Sequence, residues 1–135
     1  MGTSMNDSSK VQEGRKDDVG KPRFDLLPPE VLEQITAILT GGAEKYGARN
    51  WEQGMSWGRL FAAAQRHQWR FWSGAEMDEE SGLPHLAHAI VSLMFLLEFA
   101  NRDMRSFDDR QHSTSEQRGQ SEEQQAVRWL KQGRW

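Results

Sequence analysis

Apolar side chains recur at the spacing of an α-helix in three stretches of this chain. The first stretch predicts an amphipathic helix over residues 30–46, and the second predicts a helix over residues 57–72. The third predicts a helix from about residue 83 to residue 103. No alternating pattern is long enough to indicate a sheet. The fold class that follows is all-α, a small bundle of three core helices. The apolar positions of the first helix are Val31, Ile35, Ile38 and Leu39.

The third helix differs from the others because its middle, AIVSLMFLL over residues 89–97, is apolar nearly all round. A helix of this kind is either central to its domain or covered by another subunit. With only 36% hydrophobic residues in the chain, we expect helices from two copies to complete the core. The prediction is a homo-oligomer, most simply a dimer.

The two ends of the chain are polar and aperiodic. We predict a flexible arm over residues 1–20 and the helical domain over residues 21–104. Residues 105–135 are predicted to form a polar linker with a short C-terminal helix from about residue 121 to 130. The longest apolar run is far shorter than the roughly 20 residues that span a bilayer. We therefore expect no membrane partner and a cytoplasmic location.

Composition and net charge exclude some kinds of site and make some partners unlikely. The 135 residues contain no cysteine, which excludes disulfides and thiolate metal sites, and the formal net charge is −3. This charge makes nucleic acid an unlikely partner, because non-specific binding relies on a basic surface. Six tryptophans are many for this length, so stacking of single-stranded DNA on their rings is a third hypothesis, the weakest one.

A cluster of acids and histidines lies at the start of the third helix. Asp78 and Glu80 precede it in a loop, and His85 and His88 follow on its first turns, three residues apart and so on one face. Oxygen-rich loops followed by imidazoles can hold Mg²⁺ or Mn²⁺. The alternative is structural, since acids stabilise helix N-termini and paired histidines often bond carboxylates.

A second cluster joins cations with amide and aromatic side chains. Guanidinium and ammonium groups suit phosphate oxygens, while Asn and Trp suit the edge and the face of a base. The alternative is that the arginines of the second helix pair with surplus acids and that the tryptophan packs over helix ends. The candidates are Lys21, Arg23, Lys45, Tyr46, Asn50, Trp51, Arg66 and His67.

Four separated motifs, taken in order, resemble one family. They are the runs GKPRFDLLP at residues 20–28 and GAEKYG at residues 42–47 followed by Asn50 and Trp51, then Arg66-His67, and finally Asp78 with ESG at residues 80–82 and HLAH at residues 85–88. The chain resembles the N-terminal-domain family of dATP/dGTP diphosphohydrolases, common in bacteriophages and prophages. That family is associated with the all-α, MazG-like nucleoside triphosphate pyrophosphohydrolases.

The resemblance implies that a purine deoxynucleoside triphosphate is cleaved to its monophosphate and pyrophosphate with Mg²⁺, or with Mn²⁺. For this reaction we expect Glu80 or His85 to be the catalytic group that accepts the proton of the attacking water. The implied metal ligands are Asp78, Glu80, His85 and His88. The implied substrate contacts are Lys21, Arg23, Lys45 and Arg66 to phosphate, Tyr46, Asn50 and Trp51 to base or sugar, and His67 beside them.

One departure from the MazG-like pattern motivates a second hypothesis. Those enzymes carry acidic pairs on two core helices, whereas the second helix here offers Arg66 and His67, and the third offers His85 and His88. The alternative function is a non-catalytic nucleotide-binding or assembly module in which the histidines are structural.

Overall fold

Three α-helices form the body of the protein in a computed structural model. They are α1 (Pro29–Tyr46), α2 (Trp57–Trp72) and α3 (His85–Asn101). No strand occurs among the described residues, which confirms the all-α prediction, and the bounds of α2 are those predicted. The predicted C-terminal helix lies almost entirely outside the described residues. The structure describes residues 11, 13–111, 124, 127, 128 and 131.

Helix α1 begins and ends where its sequence directs. Pro29 occupies the first helical position, where its missing N–H costs nothing, and the helix ends at Gly47, whose φ of +95° favours glycine. The helix continues without interruption through Gly41 and Gly42. The four predicted apolar positions of α1 are half-buried, and α1 packs on α3.

The core lies between α2 and α3, which form the most extensive helix–helix contact. Trp57 and Leu60 of α2 meet Phe99 of α3, whose exposed fraction is 0%. Partly buried side chains close the cluster at its edges: Trp51, Met55, Phe95, Leu96, Ala100, Met104 and Phe107. The core therefore sits at one end of the helix pair, where α2 begins and α3 ends.

The segment after α3 returns to the start of α2. Asp109 accepts hydrogen bonds from the Ser56 hydroxyl at 2.6 Å and from the Gly58 N–H at 2.7 Å, so its carboxylate caps the first turn of α2. The ring of Phe107 packs directly on Gly54, where no Cβ would fit. The polar linker predicted from residue 105 thus begins with residues that contact the body.

Removing the cap tests this packing. The hydrogen bond from Ser56 lowers the pKa of Asp109, with the Gly58 N–H adding to the effect. A carboxyl whose pKa is lowered on folding stabilises above its unfolded pKa and loses that contribution as the pH falls through the folded one. Asp109→Ala should lower the Tm by a few degrees at pH 7, and the difference should shrink towards pH 3. Asp17→Ala, which removes an exposed acid before α1, is the control, and an equal effect there would contradict the cap.

Much of the apolar surface of α3 remains exposed. Leu86, Ile90, Leu93 and Leu97 follow one another at spacings of four, three and four residues, with exposed fractions from 39% to 63%. Leu93 and Leu97 also line a groove of about 630 Å³ between α2 and α3. In the part of the chain that the structure describes, no helix is both long and apolar enough to cross a membrane.

Candidate metal and nucleotide site

The loop between α2 and α3 closes on itself just before α3. Met77 and Pro84 form an antiparallel bridge, and the Asp78 N–H donates to the Leu83 carbonyl at 2.9 Å. Gly82 turns the chain with a φ of +69°, which a glycine adopts without strain. These contacts hold Asp78 beside the first turns of α3.

Three imidazoles meet at this point. His85 and His88 leave the same face of α3, as their spacing predicts, and both contact His67 of α2. The ring centroids of His67 and His88 are 4.7 Å apart and nearly parallel, while those of His67 and His85 are 5.2 Å apart. The Nδ1 atoms of His67 and His85 lie 2.9 Å apart, so one of them donates a hydrogen to the other.

The surroundings of His67 and His88 favour the neutral forms of these two rings. His85 is 7% exposed. Burial lowers the pKa of His67, and the neighbouring His88 and His85 lower it further. Burial also lowers the pKa of His88, although the Asp78 carboxylate opposes this. Neutral rings keep a lone pair available to a cation.

Asp78 is oriented by hydrogen bonds within its own loop. Its Oδ2 accepts from the Ser81 N–H at 3.0 Å and from the Ser81 hydroxyl at 2.9 Å. The Ser81 hydroxyl in turn accepts from the Nε2–H of His88 at 2.7 Å, since its own hydrogen goes to Asp78. The bond from the Ser81 hydroxyl lowers the pKa of Asp78, which keeps this carboxyl ionised.

One set of donors in the described residues fits a metal ion. The ligand atoms of His67, Asp78 and His85 all lie within 4.8 Å of one another. Two imidazoles and one oriented carboxylate form a donor set typical of catalytic metal centres. Asp78 and His85 are thus brought together as predicted for metal ligands, and His67, predicted as a substrate contact, lies with them.

His88 and Glu80, also predicted as metal ligands, lie next to this set. His88 Nε2 is 3.8 Å from Asp78 Oδ2 and is engaged by Ser81. Glu80 is exposed and pairs with Lys45 at 3.7 Å. Ser81 was not singled out from sequence, although an Asp followed three residues later by Ser is a turn pattern that could have revealed it. For His67, the missing information is the rotation of α2 against α3.

An open cleft of about 940 Å³ runs between α1 and this loop. Lys45 and Tyr46 at the end of α1 face Glu80 and Ser81 across it, and the Lys45 ammonium lies 5.1 Å from the centre of the Tyr46 ring. The hydrogen bond with Tyr46 is the main cause that raises the pKa of Lys45. The volume is in the range of small-molecule sites. Glu80, Ser81 and Leu83, from the loop that carries Asp78, line the cleft, and Ser81 links it to Asp78 and His88 through its hydrogen bonds.

The other predicted substrate contacts lie elsewhere on the protein. The Lys21 ammonium donates to the Asp17 carbonyl at 2.7 Å, and Arg23 forms a two-pronged pair with Asp25. All four of these residues are exposed. Both cations are therefore engaged locally in the segment before α1.

Trp51 and Asn50 stand on a 3-10 helix before α2, over Asn50–Gln53. The Trp51 ring stacks on Phe95 with centroids 5.0 Å apart and lies under the Arg102 guanidinium. Its aromatic surface is used in packing, which is the alternative that composition left open.

Arg66 is exposed on α2, immediately before His67. Neither Arg66 nor Arg70 forms an ion pair with any described residue. The surplus acids therefore do not neutralise these cations within that part of the chain, and Arg66 remains available to an anion.

The chain is similar to known proteins over most of its length. Residues 11–110 match the family described as dATP/dGTP diphosphohydrolase, N-terminal. A relative from Salmonella phage PMBT28, named dATP/dGTP diphosphohydrolase, is 39% identical over 111 residues, which are 78% of this chain and 38% of that protein. The chain thus spans less than half the length of this relative. No solved structure matches it.

The family match covers α1, α2, α3 and the loop that carries Asp78. All three residues of the metal-compatible set lie within it. This chain therefore belongs to the dATP/dGTP diphosphohydrolase N-terminal family.

Proposed function

We propose that this chain carries out metal-dependent hydrolysis of a purine deoxynucleoside triphosphate, dATP or dGTP, to the monophosphate and pyrophosphate. The proposal rests on the observation that His67, Asp78 and His85 lie close together, beside the loop that lines the α1 cleft, in a member of this family. The name of the phage relative supports the reaction and its substrates. A cytoplasmic location, where nucleotides are abundant, is part of the proposal.

The reaction breaks the α–β phosphoanhydride bond. A water oxygen bonds to phosphorus, the bridging P–O bond breaks, pyrophosphate leaves, and a proton from the water passes to a carboxylate. Of the two proton acceptors expected from sequence, Glu80 fits better than His85. Glu80 is exposed at the cleft, whereas His85 is buried with its Nδ1 against His67.

The divalent ion, Mg²⁺ or Mn²⁺, supplies neutralisation of the charge that develops on the phosphate oxygens. Asp78, His85, His88 and Glu80 are the ligands proposed from sequence, and the distances add His67. Ser81 orients the Asp78 carboxylate through its two hydrogen bonds. Orientation of this kind is important because phosphoryl transfer depends mainly on positioning and electrostatics.

The cations would hold the leaving pyrophosphate. Lys45 lies in the cleft, and the exposed Arg66 stands next to His67 on α2. Tyr46 is the aromatic side chain best placed for the nucleoside, because it lines the cleft with 62% of its surface exposed. Lys21, Arg23, Asn50 and Trp51 remain proposed contacts.

The test of the leaving-group contact is Lys45→Ala. Loss of one phosphate-binding cation should raise the KM for dGTP by about 10-fold, since a charge-assisted hydrogen bond contributes roughly 1.5–3 kcal/mol. Steady-state pyrophosphate release measures it. Lys16→Ala, which removes an exposed lysine of the N-terminal arm, is the control. Equal KM values for Lys45→Ala and the unmodified chain would remove Lys45 from the substrate site.

A specific observation favours the non-catalytic alternative. The hydrogen bonds from His88 to Ser81 and from Ser81 to Asp78 hold the loop on α3, which is a structural role for these side chains. In that case the chain binds a nucleotide, or joins an assembly, and releases no pyrophosphate. Equilibrium binding of a non-hydrolysable dGTP analogue, measured beside turnover, separates the two functions.

We further propose that a second copy of this chain covers the exposed stripe of α3, formed by Leu86, Ile90, Leu93 and Leu97. Its spacing is that of a coiled-coil seam. Leu93 and Leu97 also border the groove that an opposing helix would enter. The stripe and the groove thus lie on one face of the protein. Such a face can pair with itself in a twofold interface, because each copy offers the same surface to the other.

Leu93→Glu is expected to leave the protein monomeric, because the interface would bury the new charge without a partner. Multi-angle light scattering at micromolar concentration should give a dimer mass for the unmodified chain and for the control Leu26→Glu, which alters an exposed leucine before α1. A monomer mass for the unmodified chain would contradict the proposal.

A further inference from the structure

The spacing of two imidazole nitrogens indicates how His67 and His85 could bind a metal ion. Bonds from zinc-like ions to imidazole nitrogen are about 2.0–2.1 Å long, so two ligands on one ion stand about 2.8–3.0 Å apart at a right angle and about 3.3–3.4 Å apart at the tetrahedral angle. The Nδ1 atoms of His67 and His85 are 2.9 Å apart. The two nitrogens share a hydrogen bond in the metal-free chain, and they need to move by no more than about 0.5 Å to become neighbouring ligands on a single ion.

The carboxylate completes one face of such an ion. Both hydrogen bonds from Ser81 end on Oδ2 of Asp78, which leaves Oδ1 for a cation. The His88 ring supports Ser81 through Nε2 and stacks on His67. Outer contacts of this kind orient ligands and raise metal affinity. Residues from two helices and one loop thus support a three-ligand set.

The donor types select the class of ion. Mg²⁺ prefers oxygen ligands and keeps most of its water, whereas imidazole suits Fe²⁺, Ni²⁺, Cu²⁺ and Zn²⁺. The affinity of such a site rises from Mn²⁺ through Fe²⁺, Co²⁺ and Ni²⁺ to Cu²⁺. A triphosphate offers Mg²⁺ only oxygens. In a complex with nucleotide we therefore expect Mg²⁺ on the triphosphate oxygens and a transition-metal ion on the imidazoles.

We infer that the divalent ion of the proposed site is a transition-metal ion, bound by His67, Asp78 and His85 already in the absence of nucleotide, and that Mg²⁺ enters separately with the triphosphate. Ser81 and His88 are positioning residues for this ion. The inference goes beyond the proposed function, since a resident ion is compatible both with an enzyme and with a binding module.

The test uses the full chain, stripped with a chelator and dialysed. Addition of Co²⁺ should produce a visible d–d absorption band that saturates at one ion per chain. Zn²⁺, Mn²⁺ or Co²⁺ should raise the Tm by several degrees, and Mg²⁺ at the same concentration should not. A Tm that responds equally to Mg²⁺, or no Co²⁺ band from the folded protein, would overturn the inference.

Variants locate the ion. His67→Gln and Asp78→Asn should abolish the Co²⁺ band, with far-UV circular dichroism confirming that both variants are folded. Ser81→Ala and His88→Gln should keep the band and weaken Co²⁺ binding by about 10–100-fold. Glu79→Gln, an exposed acid of the same loop, is the matched control and should bind normally. An unchanged Co²⁺ affinity in Asp78→Asn would overturn the assignment.

Failure here is distinguishable from failure of the proposed function. A stripped chain that shows no Co²⁺ band but releases pyrophosphate from dGTP with Mg²⁺ alone overturns the resident ion and leaves the enzyme. A chain that binds Co²⁺ as described but hydrolyses no deoxynucleoside triphosphate keeps the resident ion and rejects the enzyme.

Discussion

Exchange of both His85 and His88 for Gln should reduce dGTP hydrolysis by at least about 100-fold while the protein stays folded, because ligands and their outer contacts are each worth about 10–100-fold in activity. His85 supplies one of the two nitrogens that stand 2.9 Å apart, and His88 supports the Ser81 hydroxyl that orients Asp78. Pyrophosphate release with Mg²⁺ and with Mn²⁺ measures the loss, and thermal unfolding measures the fold.

The pattern of outcomes separates the two functions considered for this chain. In an enzyme the double variant loses activity and metal binding with a nearly unchanged metal-free Tm. In a structural pair the same variant lowers the Tm markedly, since the imidazoles then serve to hold α2, α3 and the loop together. The control is Gln68→Ala, which changes a half-buried polar residue of α2 next to His67 and should leave turnover intact.

Phe99→Ala should destabilise the protein by about 3–5 kcal/mol, the usual cost of removing a fully buried aromatic side chain. Phe99 is 0% exposed and packs with Trp57 and Leu60 in the core, so the surrounding side chains cannot fill the space without leaving their own contacts. Urea denaturation followed by tryptophan fluorescence measures the change. The two proteins are compared at one concentration, because self-association would contribute to stability.

The control for Phe99 is an aromatic residue of α2 that packs little. Trp72 is 80% exposed, and Trp72→Ala should change the free energy of unfolding by less than about 0.5 kcal/mol. A loss below about 1 kcal/mol in Phe99→Ala would place the core elsewhere than between α2 and α3.

The helices could be predicted because their signals are local. The apolar period over residues 57–72 and the turn residues Ser73 and Gly74 define α2 without reference to any other element. Two other helix boundaries depend on contacts that are not local in sequence. Helix α3 begins at His85 because the Met77–Pro84 bridge closes the loop before it. The first turn of α2 is capped by Asp109, which is far away in the sequence.

The candidate site also combines contacts that follow from local sequence with contacts that depend on how the helices pack. The pairing of His85 with His88 follows from helical spacing, and their closeness to Asp78 follows from a short loop. The participation of His67 does not, because it depends on how α2 rotates against α3, and that angle is set by the packing of the core between these helices. Trp51 illustrates the reverse case: an aromatic residue in a promising motif stacks on Phe95 in the fold.

The central claim is that this chain hydrolyses a purine deoxynucleoside triphosphate between its α- and β-phosphates. The most direct measurement incubates the purified chain at high concentration with each deoxynucleoside triphosphate, with Mg²⁺ and separately with Mn²⁺, and identifies the products by chromatography. We expect deoxynucleoside monophosphate and pyrophosphate in equal amounts from dGTP or dATP. Release of inorganic phosphate with the diphosphate, or no turnover of any of these nucleotides, would contradict it.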